Sequence, residues 1–256
     1  MVETNRIGGL AWAIPWYVDT RLQYYRKDLF ARAGYDAPPA DWAGWKTALH
    51  KVKRQVGAGN YALLYPLNEY EQLTTLALSA GARMLRDDGA RGAFSDPEFK
   101  AALAFYKSLF DEGLAPLASS AQISNIWDEF AKGYFSLFLS GPWTIGDMKS
   151  RLAPAMQGNW ATAPNPGLDG IGSAAPGGSS LVVFAGNDHG DAAWDLVSRL
   201  MAPAAQLKFQ QLTGDLPARR SVWTKAGLAD DPIVAPFGVQ RDQATPLPKV
   251  PEWERI

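Results

Sequence analysis

Residues 10–30 read LAWAIPWYVDTRLQYYRKDLF, and the order of residue types in that stretch decides the fold class. Residues 11–18 are apolar and aromatic with Pro15 among them. Proline cannot donate to a central ladder, so this run reads as an edge or terminating strand. The pattern breaks at Asp19-Thr20-Arg21 and resumes over residues 22–26 as an alternating strand. Residues 27–33 then form an amphipathic helix with Leu29, Phe30 and Ala33 inward and Gly34 as its left-handed terminator. Polar residues at a break of this kind lie on the rim of a sheet, where ligands of open α/β folds collect. The break carries an aromatic ring, a carboxylate and an arginine on one short turn. Carbohydrates are gripped by that combination, because C–H faces stack on rings while a carboxylate accepts from hydroxyls.

Outward from this stretch, strands and helices alternate, which implies an α/β sheet. Asp41 follows Pro38-Pro39-Ala40 and introduces a helix through about Gln55, with Trp42, Trp45, Leu49, Val52 and Val56 on one face. Residues 61–65 read as a short buried strand, 69–80 as a helix stopped by Gly81, and 83–92 as a polar loop. Ser95 and Glu98 have capping-box spacing, and Phe99, Leu103, Tyr106 and Phe110 give the next helix an inward stripe before Gly113. Residues 125–133 predict a helix and 134–139 an apolar strand. After the break at Ser140-Gly141, a helix begins at Pro142 with backbone N–H groups open to a ligand. Residues 160–164 are extended, 165–178 a Gly- and Pro-rich loop and 179–185 a strand. Paired helices over 191–201 and 204–213 follow, and Trp194, like Trp42 and Trp45, fits a helical core stripe. The tail from Asp230 to Ile256 is proline-punctuated with little periodicity.

Composition closes off several functions. Of 256 residues, 47% are hydrophobic and 20% charged, which excludes disorder, and no apolar run approaches the roughly 18 residues of a membrane span. A formal net charge of -1 gives no electrostatic basis for binding nucleic acid or an anionic membrane. The densest basic run, Lys51, Lys53 and Arg54, lies opposite Trp45, Leu49 and Val52 and reads as a solvated face. Absence of cysteine removes disulfides, thiolate nucleophiles and the commonest zinc sites. His50 and His189 lie far apart without a spaced carboxylate set, so neither a metal nor another cofactor is expected. Residues 170–175, GIGSAA, match a dinucleotide-binding pattern only formally, since they precede Pro176 instead of opening a helix. Ser179 and Ser180 lack the glycine frame of a nucleophile elbow. Met1-Val2-Glu3 has no positive n-region and residues 9–18 no cleavage site, so no secretory signal is read.

Five segments in order carry a family resemblance: PWYVDTRLQYYRKDLFARAG (15–34), NEYEQLTTLALSAGA (68–82), FAKGYFSLFLSGPW (130–143), PGGSSLVVFAG (176–186) and TGDLPARRSVW (213–223). The chain resembles the sugar-binding proteins of ABC importers, the maltose-binding-protein-like solute-binding proteins. The resemblance implies a periplasmic-binding-protein-like (type II) two-lobe α/β fold with the first lobe incomplete. Residues 1–25 would be the end of the first lobe and the crossover, 26–175 the second lobe, 176–228 the return into the first lobe, and 229–256 a hinge and second-lobe tail. PWYVDT normally falls about a hundred residues into such a protein and PLPKVPEWERI (246–256) before its closing helices, so both ends look truncated.

By the same resemblance Tyr17 and Asp19 meet sugar at the first crossover; the alternative is that Asp19 caps its own turn. Arg21 orients Asp19 or touches sugar, or is an ordinary surface residue. Trp143, at the strand-to-helix corner Gly141-Pro142-Trp143, stacks on a sugar ring, or is a core tryptophan. Gly177, Gly178 and Ser179 let backbone approach the ligand, or form an ordinary tight turn. Tyr70 and Glu71 reach the cleft, although Gln72 replaces the family's usual glycine; Trp127 and Asp128 are a second-rank pair. The implied partners are a sugar ligand and the membrane permease subunits of an importer, and the implied location is the periplasm or the extracellular cell surface. Two other readings stand beside this one: a carbohydrate-processing enzyme with Asp19 and Glu71 as its carboxylates, and a folded chain without a ligand.

Overall fold

The computed structural model describes residues 3–123 and 125–253; Met1, Val2 and the end of the tail, Glu254 to Ile256, lie outside it. A ribbon of β1 (Arg6–Ile7) and β2 (Leu10–Ala11) leads into β3 (Ile14–Thr20) and β4 (Leu22–Arg26). Only Arg21 separates β3 from β4, so the polar break is shorter than the residue types suggest: Asp19 and Thr20 still pair within β3.

Helices α1 (Lys27–Arg32), α2 (Trp42–Val56) and α3 (Glu71–Ser79) follow, then a ribbon of β5 (Leu85–Arg86) and β6 (Arg91–Gly92) inside the expected loop, and helix α4 (Pro97–Asp111). Next come α5 (Ile126–Lys132), β7 (Leu137–Ser140), α6 (Thr144–Arg151), β8 (Trp160–Ala163) and β9 (Pro176–Leu181). The chain continues through α7 (Gly190–Leu200), α8 (Pro203–Thr213), β10 (Leu216–Pro217), α9 (Arg220–Lys225) and α10 (Ala235–Asp242).

Strands β3 and β4 belong to different sheets. One has the order β10-β3-β9 and the other β7-β4-β8, all neighbours antiparallel. The chain passes between them at Arg21 and returns between β8 and β9. Strand β3 is therefore central, contrary to the edge position expected from Pro15. The ladder tolerates the proline because β10 reaches only Tyr17 and Val18, and the pairing with β9 shifts register between Pro15 and Tyr17.

Every residue of β4 is buried. Its side chains alternate between two cores instead of between core and water. Leu22 and Tyr24 enter a cluster with Phe130, Phe135, Phe138 and Phe237, and Tyr25 enters one with Phe30, Trp45, Leu49 and Leu76. Gln23 also faces the second cluster, where its Oε1 accepts from the Trp45 indole N–H at 2.6 Å. A strand covered on both faces carries polar residues only when they are satisfied in this way.

Local signals hold where chain chemistry is local. Asp41 caps α2 by accepting from the Gly44 N–H at 2.8 Å, and Asn125 caps α5. The capping box at Ser95 does not form: Pro97 opens α4 and holds Asp96 extended as its N-cap, without a side-chain bond. Leu103 is exposed, and the buried stripe of α4 runs through Ala102 and Leu109. Residues 62–65 are buried, but the segment makes only isolated bridges, Tyr61 to Phe135 ahead of β7 and Leu64 to Phe138 within it. The loop expected to end at Gly178 instead yields β9 from Pro176, and β9 stops at Leu181.

Two further corrections concern the return segment and the tail. Trp194 is 52% exposed, because α7 buries only Val197 and nothing among the described residues covers its apolar face. Trp12, Phe184 and Leu212, near β2, β9 and in α8, are exposed as well. The tail contains α10, which packs on β3, β4 and β8. Its fully buried Gln240 accepts from the Asn165 backbone N–H at 2.7 Å and donates to the Gly172 carbonyl at 2.9 Å. Asn165 in turn donates through Nδ2 to the Arg21 carbonyl at 2.8 Å. The tail thereby pins the connection between the two sheets.

Candidate functional site

Arg21 is the one residue between two ladders, so its side chain leaves both sheets at their junction. Its Nη2 lies 2.9 Å from Glu71 Oε1, at the start of α3, and its guanidinium carbon lies 5.8 Å from the centre of the Trp143 ring. Both partners of the ion pair are partly exposed, which makes the pair an orienting contact more than a stabilising one. Asp19, Arg21, Tyr70, Glu71 and Gly177 line one pocket of about 170 Å³, together with Thr74 and Leu247. A neighbouring pocket of about 210 Å³ shares Arg21 and adds Trp143, Glu69, Gln72, Trp127 and Asp147. Five of the predicted residues thus line one pocket, and Trp143 stands across Arg21 from them.

Asp19 makes no side-chain hydrogen bond among the described residues, so the reading in which it caps its own turn does not describe this structure. Burial, and then the charge of Asp215, push its pKa from the ordinary 3.8 up to about 6, against the opposing pull of Arg21. Asp215 is raised as well, chiefly by burial. It reaches Asp19 because β10 pairs with β3, Leu216 opposite Val18. An acid whose folded pKa lies above its unfolded value holds its proton more tightly when folded, so ionising it costs stability as pH rises. The contribution of Asp19 to stability should therefore fall between about pH 4 and pH 6 and level off above. Melting curves of the parent and of Asp19→Asn across that window test this: the difference between them should widen in favour of the variant with rising pH, and a constant difference would refute it.

Gly177 and Gly178 serve β3 more directly than they serve an open cleft. A Cβ on Gly177 would sit 1.9 Å from Asp19 Oδ1, so the missing side chain makes room for that carboxylate. Gly178 has φ +110, and a Cβ there would meet the Tyr17 carbonyl oxygen at 2.3 Å. Ser179 donates from Oγ to the Tyr17 hydroxyl at 3.0 Å, and the Tyr17 ring packs against Phe209 at 5.4 Å between centres. Tyr17, Gly178 and Ser179 form a group beside the Asp19 pocket without lining it.

Trp143 is 36% exposed. Its ring folds back over Gly141, where a Cβ would lie 1.9 Å from Cζ3, and the Gly141 carbonyl accepts from the buried Tyr24 hydroxyl at 2.7 Å. The first N–H groups of the corner are not open to a ligand as expected. Thr144 N–H donates to Gly141 O at 3.2 Å and Ile145 N–H to Pro142 O at 3.1 Å, closing a tight turn ahead of α6. Gly141→Ala should swing the indole out while costing under about 1 kcal/mol, because the atoms it meets are the free end of a side chain. A melting point near the parent's together with red-shifted tryptophan emission is the expected result; parental emission would show that the ring has another way to stay.

Sequence reasoning passed over Glu69, Asp147 and Asp215, and met Gln72 only as a departure from the family's glycine. Gln72 is 1% exposed, its Nε2 donates to Glu69 Oε2 at 2.9 Å, and its Oε1 has no partner. The i, i+3 spacing of Glu69 and Gln72 was the available signal. Asp215 offered none, since only strand pairing brings it to Asp19. Among the described residues no group of three or more His, Asp or Glu could hold a metal, and no helix is long and apolar enough to cross a membrane.

The family model for bacterial extracellular solute-binding proteins matches residues 6–236. The sugar-binding protein MalE of Xanthomonas citri superposes with a TM-score of 0.96 at 46% identity, over 99% of this chain and 64% of that one. A binding protein of Brucella abortus is 27% identical over 254 residues, which are 98% of this chain and 61% of that protein. The diacetylchitobiose-binding protein DasA of Streptomyces coelicolor is 25% identical over 253 residues, 97% of this chain and 58% of its own length. The chain thus spans about 61% of the length of the first of these curated relatives.

Proposed function

The chain belongs to the bacterial extracellular solute-binding protein family, and on that premise we propose that it is a carbohydrate-binding part of the substrate receptor of an ABC sugar importer. Its fold is that of the type II periplasmic binding proteins. The observation that carries the reading is the convergence of Asp19, Arg21 and Glu71 on one pocket with the Trp143 ring across Arg21. Carboxylates and a guanidinium can take vicinal hydroxyls in charge-assisted bonds while the indole face takes a C–H face. A neutral oligosaccharide fits this set, because Arg21 already offsets Glu71.

We read residues 1–25 as the end of the first lobe and the crossover, 26–175 as the second lobe, 176–228 as the return and 229–256 as the tail. In this reading closure around Arg21 would select the ligand-bound state, the permease subunits would be the partner, and the site of action would be the periplasm or the outer cell surface. Tyr17, Gly178 and Ser179 then support the pocket through β3, and Tyr70 flanks it.

An intrinsic-fluorescence titration against maltose, trehalose and cellobiose, with thermal unfolding recorded alongside, tests the proposal. A saturable shift with a raised melting point is expected; a cooperative melt indifferent to every sugar would favour a folded chain without a ligand. The competing chemistry is glycoside hydrolysis by Asp19 and Glu71, which share the pocket. The Glu71 carboxylate is paired with Arg21, so a panel of aryl glycosides should show no turnover, and turnover lost in Asp19→Asn would overturn this.

A further inference from the structure

Helix α3 carries a buried amide in its first turn. Gln72 is 1% exposed and lines the pocket of about 210 Å³ beside Trp143. Its Oε1 has no hydrogen-bond partner among the described residues, whereas its Nε2 donates to Glu69 Oε2 at 2.9 Å. Leaving a buried acceptor unpaired costs stability, and an apolar side chain of similar shape would avoid that cost. The amide is therefore a poor choice for the core alone, and what it supplies is one hydrogen bond to Glu69. Gln72 stands where the family's usual residue is glycine, which has no side chain to make that bond, so the brace is a feature of this chain.

Glu69 lies ahead of α3, outside the helix ladder. Its N–H donates to the Pro66 carbonyl at 3.2 Å, and the residue before it is tied down separately, Asn68 Oδ1 accepting from the Ser120 N–H at 2.8 Å. Glu69 is half-buried and lines both the pocket beside Trp143 and an adjoining one of about 480 Å³. Two neighbouring carboxylates already have cations: Glu71 pairs with Arg21 at 2.9 Å and Asp147 with Arg151 at 2.9 Å. Among the described residues Glu69 pairs with no Lys or Arg, and its bond to Gln72 uses only part of its acceptor capacity. A carboxylate accepts from hydroxyls in shorter, stronger bonds than a neutral acceptor does. Held in place before a ligand arrives, it binds without first losing side-chain freedom.

We propose that Gln72 is a positioning residue for ligand binding: its amide holds the Glu69 carboxylate in place as a hydroxyl acceptor of the pocket beside Trp143. This rests on the carbohydrate reading above. Affinity and stability should then separate when the amide is removed, because the bond that serves the ligand comes with an unpaired oxygen that burdens the fold.

The test is a double-mutant cycle of Gln72→Met and Glu69→Gln, read by calorimetric titration with maltose, trehalose and cellobiose and by thermal unfolding. Methionine keeps the length of the side chain while removing both the donor and the unpaired oxygen. Gln72→Met should weaken binding of the sugar that the parent takes by about tenfold and melt at or above the parent's temperature. Glu69→Gln, at a half-buried position that need not disturb the core, should weaken binding at least as much. Adding Gln72→Met to Glu69→Gln should then change affinity by less than about twofold, because the two residues act as one unit. Parental affinity in either single variant, additive losses in the double variant, or a loss in Gln72→Met that comes with a lowered melting point would overturn the proposal while leaving the carbohydrate reading intact. No binding of any sugar by the parent would remove both.

Discussion

Gly178→Ala should unfold the β3–β9 pairing and lower the stability of the chain by about 3 kcal/mol. Two independent costs meet at this position. The backbone is at φ +110, which an L side chain adopts only under strain, and the new Cβ would approach the Tyr17 carbonyl oxygen to 2.3 Å. Neither partner can yield cheaply, because the obstacle is the backbone of the central strand and not a side-chain tip. In a domain of this size the loss corresponds to a melting point lower by roughly 6–12 °C. Gly186→Ala is the matched control: no atom lies within 4 Å of its Cβ position, and its melting point should stay with the parent's. The Asp19 pocket should suffer along with the fold, since Gly177 pairs with Asp19 one step along the same ladder. A Gly178→Ala variant that melts like the parent would mean that β9 does not lie on β3 as described.

Gln240→Leu is the second large expected effect, again about 3 kcal/mol. The substitution strands two buried groups, the Asn165 N–H and the Gly172 carbonyl, each of which costs about 1–3 kcal/mol without a partner. Its consequence should also be local. Asn165 holds the Arg21 carbonyl, so loosening Asn165 loosens the joint between the two sheets. Hydrogen exchange should speed up across residues 19–23 and 163–166 more than in the middle of α2, which neither Gln240 nor Asn165 bonds. Uniform acceleration over the whole chain would instead mark Gln240 as ordinary core.

These two sites also show where sequence reading stops. Helices α1, α2 and α5 were legible because their evidence is local: apolar spacing, an Asp or Asn cap, a terminating glycine. The centrality of β3 was not, because β9, which meets it at the register shift, arrives about 160 residues later. Helix α10 escaped notice since Pro236 and Gln240 interrupt its apolar pattern, and only the buried partners of Gln240 explain why an amide sits there. The core position expected for Trp194 followed correctly from its spacing, but spacing cannot say whether anything covers the face. At the site, Asp19 and Arg21 were readable from a single turn. The pairing of Arg21 with Glu71 and the resting of Trp143 on Gly141 depend on contacts across the sheet junction, as does the elevation of Asp19 by Asp215.

The exposed side chains around β2, β9, α7 and α8 bear on how such experiments should be run. Trp12, Phe184, Trp194 and Leu212 are large apolar side chains more than half exposed, so light scattering belongs beside every titration to separate ligand response from self-association.

The most direct measurement is a calorimetric titration, above pH 6 where Asp19 is ionised, of the parent and of Trp143→Ala with whichever sugar the fluorescence panel selects. The account expects saturable one-to-one binding by the parent and its loss in Trp143→Ala at an unchanged melting point. Parental affinity in Trp143→Ala would contradict it, because the indole beside Arg21 would then be packing and not a binding surface.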